Sequence, residues 1–423
     1  MQARPISRQE PTAPPEALAP LAPPGLPVPR PHAEAPRELW LETATDAQLP
    51  GLLPLWEELA AEALEPNPFY EPFMLLPALR EFTAGHRLTF LCVFAPHPSR
   101  QKGRRVLCGF FPFEHSRPAG RLPVPMLALW KHPWCYLTAP LLRRDCARAV
   151  VTKVFDWLAA SGRETGLVRL EDFPGDGPIH RLFVDELKAR GWHSQLTDWY
   201  TRAVLHKAGS GEEYLTQALR GKRRKELRRQ QTRLAELGRI DFAELSVGGD
   251  AQPWIKDFLA LEASGWKGRE SVALLSQQGH ADYFETMATN AFEQGRSMML
   301  GLFLDGRPIA LKHNLLAGEC GFAFKIAYDE RFARFSPGVL LELENVLRLH
   351  EREDIRAMDS CASWNRFMIN QLWTGRREMQ TCIFATEDRI ASLVLALLPL
   401  SRWAARQLGR RRAAPSQQPE EEG

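Results

Sequence analysis

Several polar side chains interrupt runs that are otherwise apolar. His313 lies within Pro308–Leu316, Lys325 stands between Phe324 and Ile326, and Asp329 and Asp359 follow two further apolar runs. A charge in an apolar strand is informative because burying it is costly unless it has a partner or a task. Histidine titrates near about 6.5, which suits His313 to accept a proton. Across a hairpin turning at 317–319, Lys312 or His313 would face Lys325. Lys325 would then stabilise a developing oxyanion or pair with Asp359. The plainer alternatives are a satisfied strand histidine and a buried ion pair. Glu262 and Trp266, four residues apart, fall on one helical face and would line an acceptor pocket, with Glu262 as an alternative base; a core tryptophan beside a solvated glutamate is the rival reading. Cys361 follows the last of these strands, but no histidine is near it in sequence to activate a thiol.

A second feature is the run Tyr328-Asp329-Glu330-Arg331-Phe332-Ala333-Arg334-Phe335-Ser336-Pro337-Gly338. A strand ends at Tyr328 and Asp329, where a cleft would open. Two arginines follow, and Ser336 is placed to cap a helix with Pro337 at its first position. Gly338 removes a side chain where phosphate oxygens would approach free amides, which helix N-termini offer together with partial positive charge. An ordinary capped helix has the same signature.

These residues need elements to hold them. In the first half, Leu49–Leu64 reads as an amphipathic helix, and Arg87–Ala95 and Arg104–Glu114 as strands. A helix over Ala147–Ser161, a strand Gly166–Glu171, a helix Ile179–Arg190 and a strand Trp199–His206 follow. In the second half, Gly211–Leu237 is a helix broken near Gly221, Arg239–Leu245 a strand, and Gln252–Gly265 and Ala281–Gly295 helices. Strands Ser297–Leu304, Pro308–Leu316 and Cys320–Tyr328 come next, joined by Asp-Gly-Arg and Ala-Gly-Glu turns in which glycine supplies positive φ. Then come helix Ser336–Glu351, strand Ile355–Asp359, helix Trp364–Trp373 and strand Arg377–Ala385. The fold class is α/β with mixed sheets.

The ends differ from the middle. Residues 1–37 hold eleven of the 33 prolines and are expected to be a disordered tail. The divisions expected are 1–37, 38–206, 207–388 and 389–423. Ile390–Leu400 is apolar but too short to span a bilayer, so it either docks on the domain or, with the arginines to 412, makes peripheral membrane contact. The 423 residues are 44% hydrophobic and 25% charged with net charge +3, which excludes an integral membrane protein and a wholly disordered chain. The seven cysteines lack a C-x-x-C pair, so no structural zinc or other metal site is expected, and reduced thiols fit a cytoplasmic protein. Between Arg220 and Arg233 eight cations face Glu226 alone. Such density would hold a phosphate, a tRNA or an anionic headgroup. The stretch lacks aromatic side chains to stack bases, so no specific nucleic acid is expected.

Lys325-Ile326-Ala327-Tyr328-Asp329 with Phe335-Ser336-Pro337-Gly338 and the leucine-rich helix after it resembles the CelD/BcsL-type acyltransferases of the GNAT superfamily. Leu219–Leu237 resembles that family's basic helix, Leu261–Gly268 its Leu-Glu…Trp-Lys segment, and Met358–Cys361 its Asp-bearing strand. The resemblance implies two GNAT-like domains in tandem, as in the FemABX peptidyltransferases. It implies acetyl-CoA or another acyl-CoA as co-substrate, entering between splayed strands at 320–328 and 355–359. Arg334, Ser336, Gly338 and Val339 would hold the cofactor's phosphates, although the usual Gln/Arg-x-x-Gly-x-Gly/Ala loop is absent. Lys325, Asp359, His313 and Glu262 would surround the reacting centre, with Trp266, Tyr328 and Asp329 toward a small-molecule, saccharide or lipid acceptor. GNAT chemistry needs no covalent intermediate, which removes the case for Cys361. The rivals are aminoacyl transfer from charged tRNA and a non-catalytic scaffold in envelope assembly.

Overall fold

Short apolar runs punctuated by proline and glycine build a sheet along the chain. Its strands are β1 (Trp40–Ala44), β2 (Arg87–Pro96), β3 (Arg105–Ser116), β4 (Met126–Leu129), β5 (Leu141–Leu142), β6 (Leu167–Pro174) and β7 (Ser194–His206). They continue as β8 (Ile240–Glu244), β9 (Ser297–Leu304), β10 (Arg307–Ala317), β11 (Cys320–Tyr328), β12 (Ala357–Asp359) and β13 (Gly375–Ala385). The helices are α1 (Leu53–Ala61), α2 (Pro72–Phe82), α3 (Ala147–Ala160), α4 (Gly177–Arg190), α5 (Gly211–Ala218) and α6 (Gly221–Ala235). They continue as α7 (Ala251–Ser264), α8 (Trp266–Arg269), α9 (His280–Glu293), α10 (Pro337–Glu351) and α11 (Phe367–Leu372), with a final helix over 389–398. The structure is a computed structural model that describes residues 38–97, 104–116, 124–161, 165–362 and 367–398. The expected tail at 1–37 and the end of the chain from 399 lie outside the described residues.

The strands run in the order β1-β2-β3-β4-β6-β13-β7-β12-β11-β10-β9-β8, with β5 on β3. Neighbours are antiparallel except at two places, β4 beside β6 and β11 beside β12. The pattern thus repeats: four antiparallel strands followed by a parallel neighbour, once in β1–β4 with β6 and again in β8–β11 with β12. The last strand, β13, does not stay with the strands that precede it. It lies between β6 and β7, pairing with both. One apolar cluster packs α1, α2, α3, α4, α7 and α9 on the sheet, and a second packs α5, α6, α10 and α11. A third sits under the final helix, where Ala391 and Leu395 meet Val124, Met126, Leu167, Ile383 and Ala385.

Turn chemistry places the second half as expected. Gly306 and Gly318 adopt φ of +76° and +50° and close the two hairpins of β9, β10 and β11. The helix expected to break near Gly221 divides there into α5 and α6. The helix expected over 49–64 is instead a 3-10 turn, Asp46–Leu52, followed by α1. Pro50 lies within that turn rather than opening the helix. β1, α2 and β4 add to the elements expected from the sequence. Pro72 and Pro77 hid α2, although Pro72 stands in its first turn where no amide is needed.

Candidate active site

The site begins where β11 and β12 part. They pair over three positions only, Cys320↔Ala357, Gly321↔Met358 and Phe322↔Asp359, while β11 runs on to Tyr328. The chain is turned out of β12 by its own side chain. Asp359 Oδ1 accepts the Cys361 amide at 2.9 Å, and Cys361 takes a left-handed φ of 51°. The wedge opens into a cavity of ≈ 850 Å³ whose walls come from both halves of the chain. Phe324, Lys325, Ile326 and Tyr328 of β11 line it, with Trp266, Lys267, Lys312 and Glu342. Lys131, Tyr136, Asp172, Tyr200 and Arg202 line it from the first half.

Lys325 is the cation at the centre of the second-half wall. Its Nζ lies 3.0 Å from Glu262 Oε1 and 3.9 Å from the centroid of the Trp134 ring. Burial lowers its pKa to about 8; Glu262 opposes this, and the second ammonium, Lys267, adds to it. Lys267 donates to the same Glu262 oxygen at 2.8 Å, and the Leu274 amide donates to Oε2 at 2.9 Å. Burial would raise the Glu262 pKa, but the two ammonium groups outweigh it and hold the carboxylate below its usual range. Glu262 is therefore a buried counter-ion to the lysine pair and does not itself line the cavity, which corrects its assignment as an alternative base. Nor does it share a continuous helical face with Trp266. α7 ends at Ser264, Gly265 intervenes, and the Trp266 amide donates to Glu330 at 2.7 Å.

Two further expectations are corrected. His313, on β10, is the register partner of Lys325, yet it is fully buried between Phe284 and Phe324, and its Nε2 meets the Ser297 hydroxyl at 2.8 Å. Burial pushes its pKa down to about 3, and it does not line the cavity, so it cannot serve a substrate there as base. Asp359 does not pair with Lys325. Its Oδ2 receives Arg202 at 2.6 Å and Arg377 at 3.2 Å, and Arg377 reaches on to Glu65 at 3.0 Å. Burial raises the Asp359 pKa, but the two guanidinium groups outweigh it and keep the carboxyl below its normal range. The group ties β7, β12 and β13 together.

At the mouth, Tyr328 and Trp266 line the cavity, whereas Asp329 is held by the amide and guanidinium of Arg331. Ser336 sits before α10 but in a left-handed conformation (φ 54°) without a side-chain cap, contrary to the expected capping. The Val339 and Leu340 amides donate to its carbonyl, so among the described residues only the Gly338 amide of that first turn lacks a carbonyl partner. A Cβ on Gly338 would lie 3.3 Å from the Tyr328 ring, the residue that borders the cavity. Arg334 is exposed, its guanidinium 4.6 Å from the Phe335 ring centroid. The basic helix α6 packs on the segment Glu330–Phe335 and leaves Lys222, Arg223, Lys225, Arg228 and Arg229 exposed.

The first-half wall went unread in the sequence. Asp172 sits in β6 with φ 47°, accepting from Tyr200 Oη at 2.8 Å and facing Lys131 Nζ at 2.8 Å. A left-handed aspartate within a strand costs about 1–3 kcal/mol and tends to mark a working position. Arg202 carried the signal that identified Lys325, a charge entering an apolar run (Arg202-Ala203-Val204-Leu205). Lys312 pairs with Glu342 at 2.8 Å, both buried, and Asn345 braces Glu342. No group of histidine, cysteine or acidic residues able to hold a metal occurs among the described residues.

Residues 221–367 match the family model described as acetyltransferase (GNAT) domain. No curated protein matches the chain. Among solved structures, FemX is similar with a TM-score of 0.53 and 10% identity, covering 84% of this chain and 99% of its own. A conserved protein of unknown function from Bacteroides thetaiotaomicron gives 0.49 at 11% identity, covering 83% and 100%. A tandem GNAT protein from the clavulanic acid biosynthesis pathway gives 0.39 at 16%, covering 82% and 98%. At such identities the likeness is one of fold: a mixed α/β protein of GNAT type.

Proposed function

We propose that the protein moves an acyl group from a coenzyme A thioester to an amine or hydroxyl acceptor bound in the cleft between its halves. One observation carries this reading: the parting of β11 from β12 into a cavity with the Lys325 ammonium on its wall. The wedge is bordered by β11 backbone that has no β12 partner beyond Phe322, suiting an extended, amide-bearing pantetheine arm. The Gly338 amide and the exposed cations of α6 and Arg334 suit the phosphates. Ser336 and Val339 offer no free amide there, because theirs donate to the Ala333 and Ser336 carbonyls.

The thioester supplies an activated carbonyl whose C–S bond breaks as the new C–N or C–O bond forms. Lys325 keeps its proton on Nζ and faces the negative charge that develops on the carbonyl oxygen. Asp172 takes the acceptor's proton and returns it to the departing sulfur, leaving thiol and carboxylate as before. Tyr200 and Lys131 hold Asp172 in place. Trp266 and Tyr328 border the acceptor side. The motifs at 325–329 and 335–338 support a CelD/BcsL-type enzyme, with an acceptor from envelope polysaccharide or lipid metabolism.

The exposed cations of α6, the helix that packs on Glu330–Phe335, favour one rival, aminoacyl transfer from charged tRNA. Titration calorimetry separates the two. Acetyl-CoA should release heat on mixing, and a charged tRNA should not compete with it. Absence of heat with every coenzyme A derivative would remove the proposal. Thioester consumption with a panel of amines and hydroxyl acceptors tests turnover, and a scaffold would show none.

A further inference from the structure

We propose that the final helix, 389–398, seats the protein on an anionic lipid surface. Only one face of this helix is used for packing. Ala391 is fully buried and Leu395 nearly so, against Val124, Met126, Leu167, Ile383 and Ala385. On the other side Ile390, Leu393 and Leu397 are 52%, 61% and 49% exposed. Their spacing of three and four residues aligns them in one stripe along the helix. Among the described residues, no other helix presents more than one large hydrophobic side chain so exposed. An exposed aliphatic stripe is what an interfacial helix presents to the boundary between headgroups and acyl chains.

Charge identifies the occupant. Around and beyond this stripe the sequence carries Arg389, Arg402, Arg406 and Arg410 to Arg412, with Trp403, and holds no aspartate or glutamate between Asp388 and Glu420. A protein groove would cover the stripe without requiring that run, whereas an anionic leaflet matches both the aliphatic and the cationic parts. Among the described residues no helix is long and apolar enough to cross a membrane, so the contact is peripheral.

The test uses the full chain in sedimentation with vesicles. Phosphatidylcholine–phosphatidylglycerol vesicles should carry the protein down, and phosphatidylcholine alone should bind about tenfold or more weakly, with binding to the mixture falling as salt rises. The triple variant Ile390→Ser, Leu393→Ser, Leu397→Ser should bind the mixture about ten- to a hundredfold more weakly at an unchanged melting temperature, because these side chains are already solvated. Replacing Arg402, Arg406 and Arg410–Arg412 by glutamine should weaken binding while leaving the helix packed. Failure of the wild type to sediment with the anionic mixture overturns the proposal. So does a triple variant that binds like wild type, or light scattering that shows the stripe consumed in a dimer which the triple variant abolishes.

Discussion

The two parallel junctions of the sheet are built alike and finished differently. At β4 and β6 three residue pairs meet, and the final helix lies over them, with Leu395 and Ala391 set against Val124, Met126 and Leu167. At β11 and β12 three pairs meet and the strands then part around a cavity. The same local topology therefore meets an aliphatic helix over its paired residues at one junction and opens directly from its paired strands into the cavity at the other. What separates them is which polar groups stand at the divergence. At the first junction aliphatic contacts cover the paired residues, and past them Lys131 pairs with Asp172 on the first-half wall of the same cavity. The second is framed by Asp359 with its two arginines on one side and by Glu262 with its two lysines on the other. The former group, with Glu65, is balanced in charge, while the latter carries one cation more than it can neutralise; Arg202 of the first and Lys325 and Lys267 of the second reach the cavity.

The hardest blow to this contrast falls on the frame. Asp359→Ala strands Arg202, which is almost wholly buried, and should cost about 3–5 kcal/mol in denaturant unfolding. A loss below about 1 kcal/mol would mean the guanidinium finds water, and that the frame is not what holds the junction. Lys325→Ala acts on the other side of the wedge. It leaves Glu262 with Lys267, so the fold should persist while kcat drops about 10²–10³-fold, or about 2.7–4 kcal/mol of barrier. Equal loss of stability and turnover would reduce Lys325 to a structural cation.

The helix-covered junction should respond in the opposite sense. Leu395→Ala should cost about 2–3 kcal/mol of stability and leave acetyl-CoA affinity unchanged, read by calorimetry on the same preparation. A weakened affinity would show that the two junctions are not independent. The smallest effect is one of pH. Lys325 has its pKa lowered from 10.5 to about 8 in the folded protein, so between those values the unfolded chain binds more protons and this residue makes stability rise with pH. The ammonium disappears over the same range. Turnover should fall about tenfold per pH unit above about 8 without a matching loss of stability from this group, and Lys325→Arg should shift that limb upward. A profile flat to pH 10 contradicts the oxyanion role.

Local chemistry made much of the scaffold readable. Positive φ at Gly306 and Gly318 and apolar runs of strand length set β9, β10 and β11 nearly to the residue, and the same reasoning placed the break between α5 and α6. Lys325 was found because a charge among Phe324 and Ile326 needs a reason. Its partner was not, since Glu262 lies 63 residues earlier on α7 and nothing local links them. His313 met the compositional test for a base and failed for a reason invisible in sequence: Phe284 and Phe324 seal it from the cleft. Asp172, Tyr200 and Lys131 reach the cavity because β13 spaces β6 from β7, an order that periodicity does not encode.

The placement of β13 has a consequence for how this chain is made. Residues 375–385 must slot between two strands synthesised some two hundred residues earlier, so an emerging chain carries β6 and β7 with bare backbone edges until its last strand leaves the ribosome. Premature termination before that strand should therefore yield not a shortened protein but an adhesive intermediate, and the speed of late translation becomes part of the folding problem.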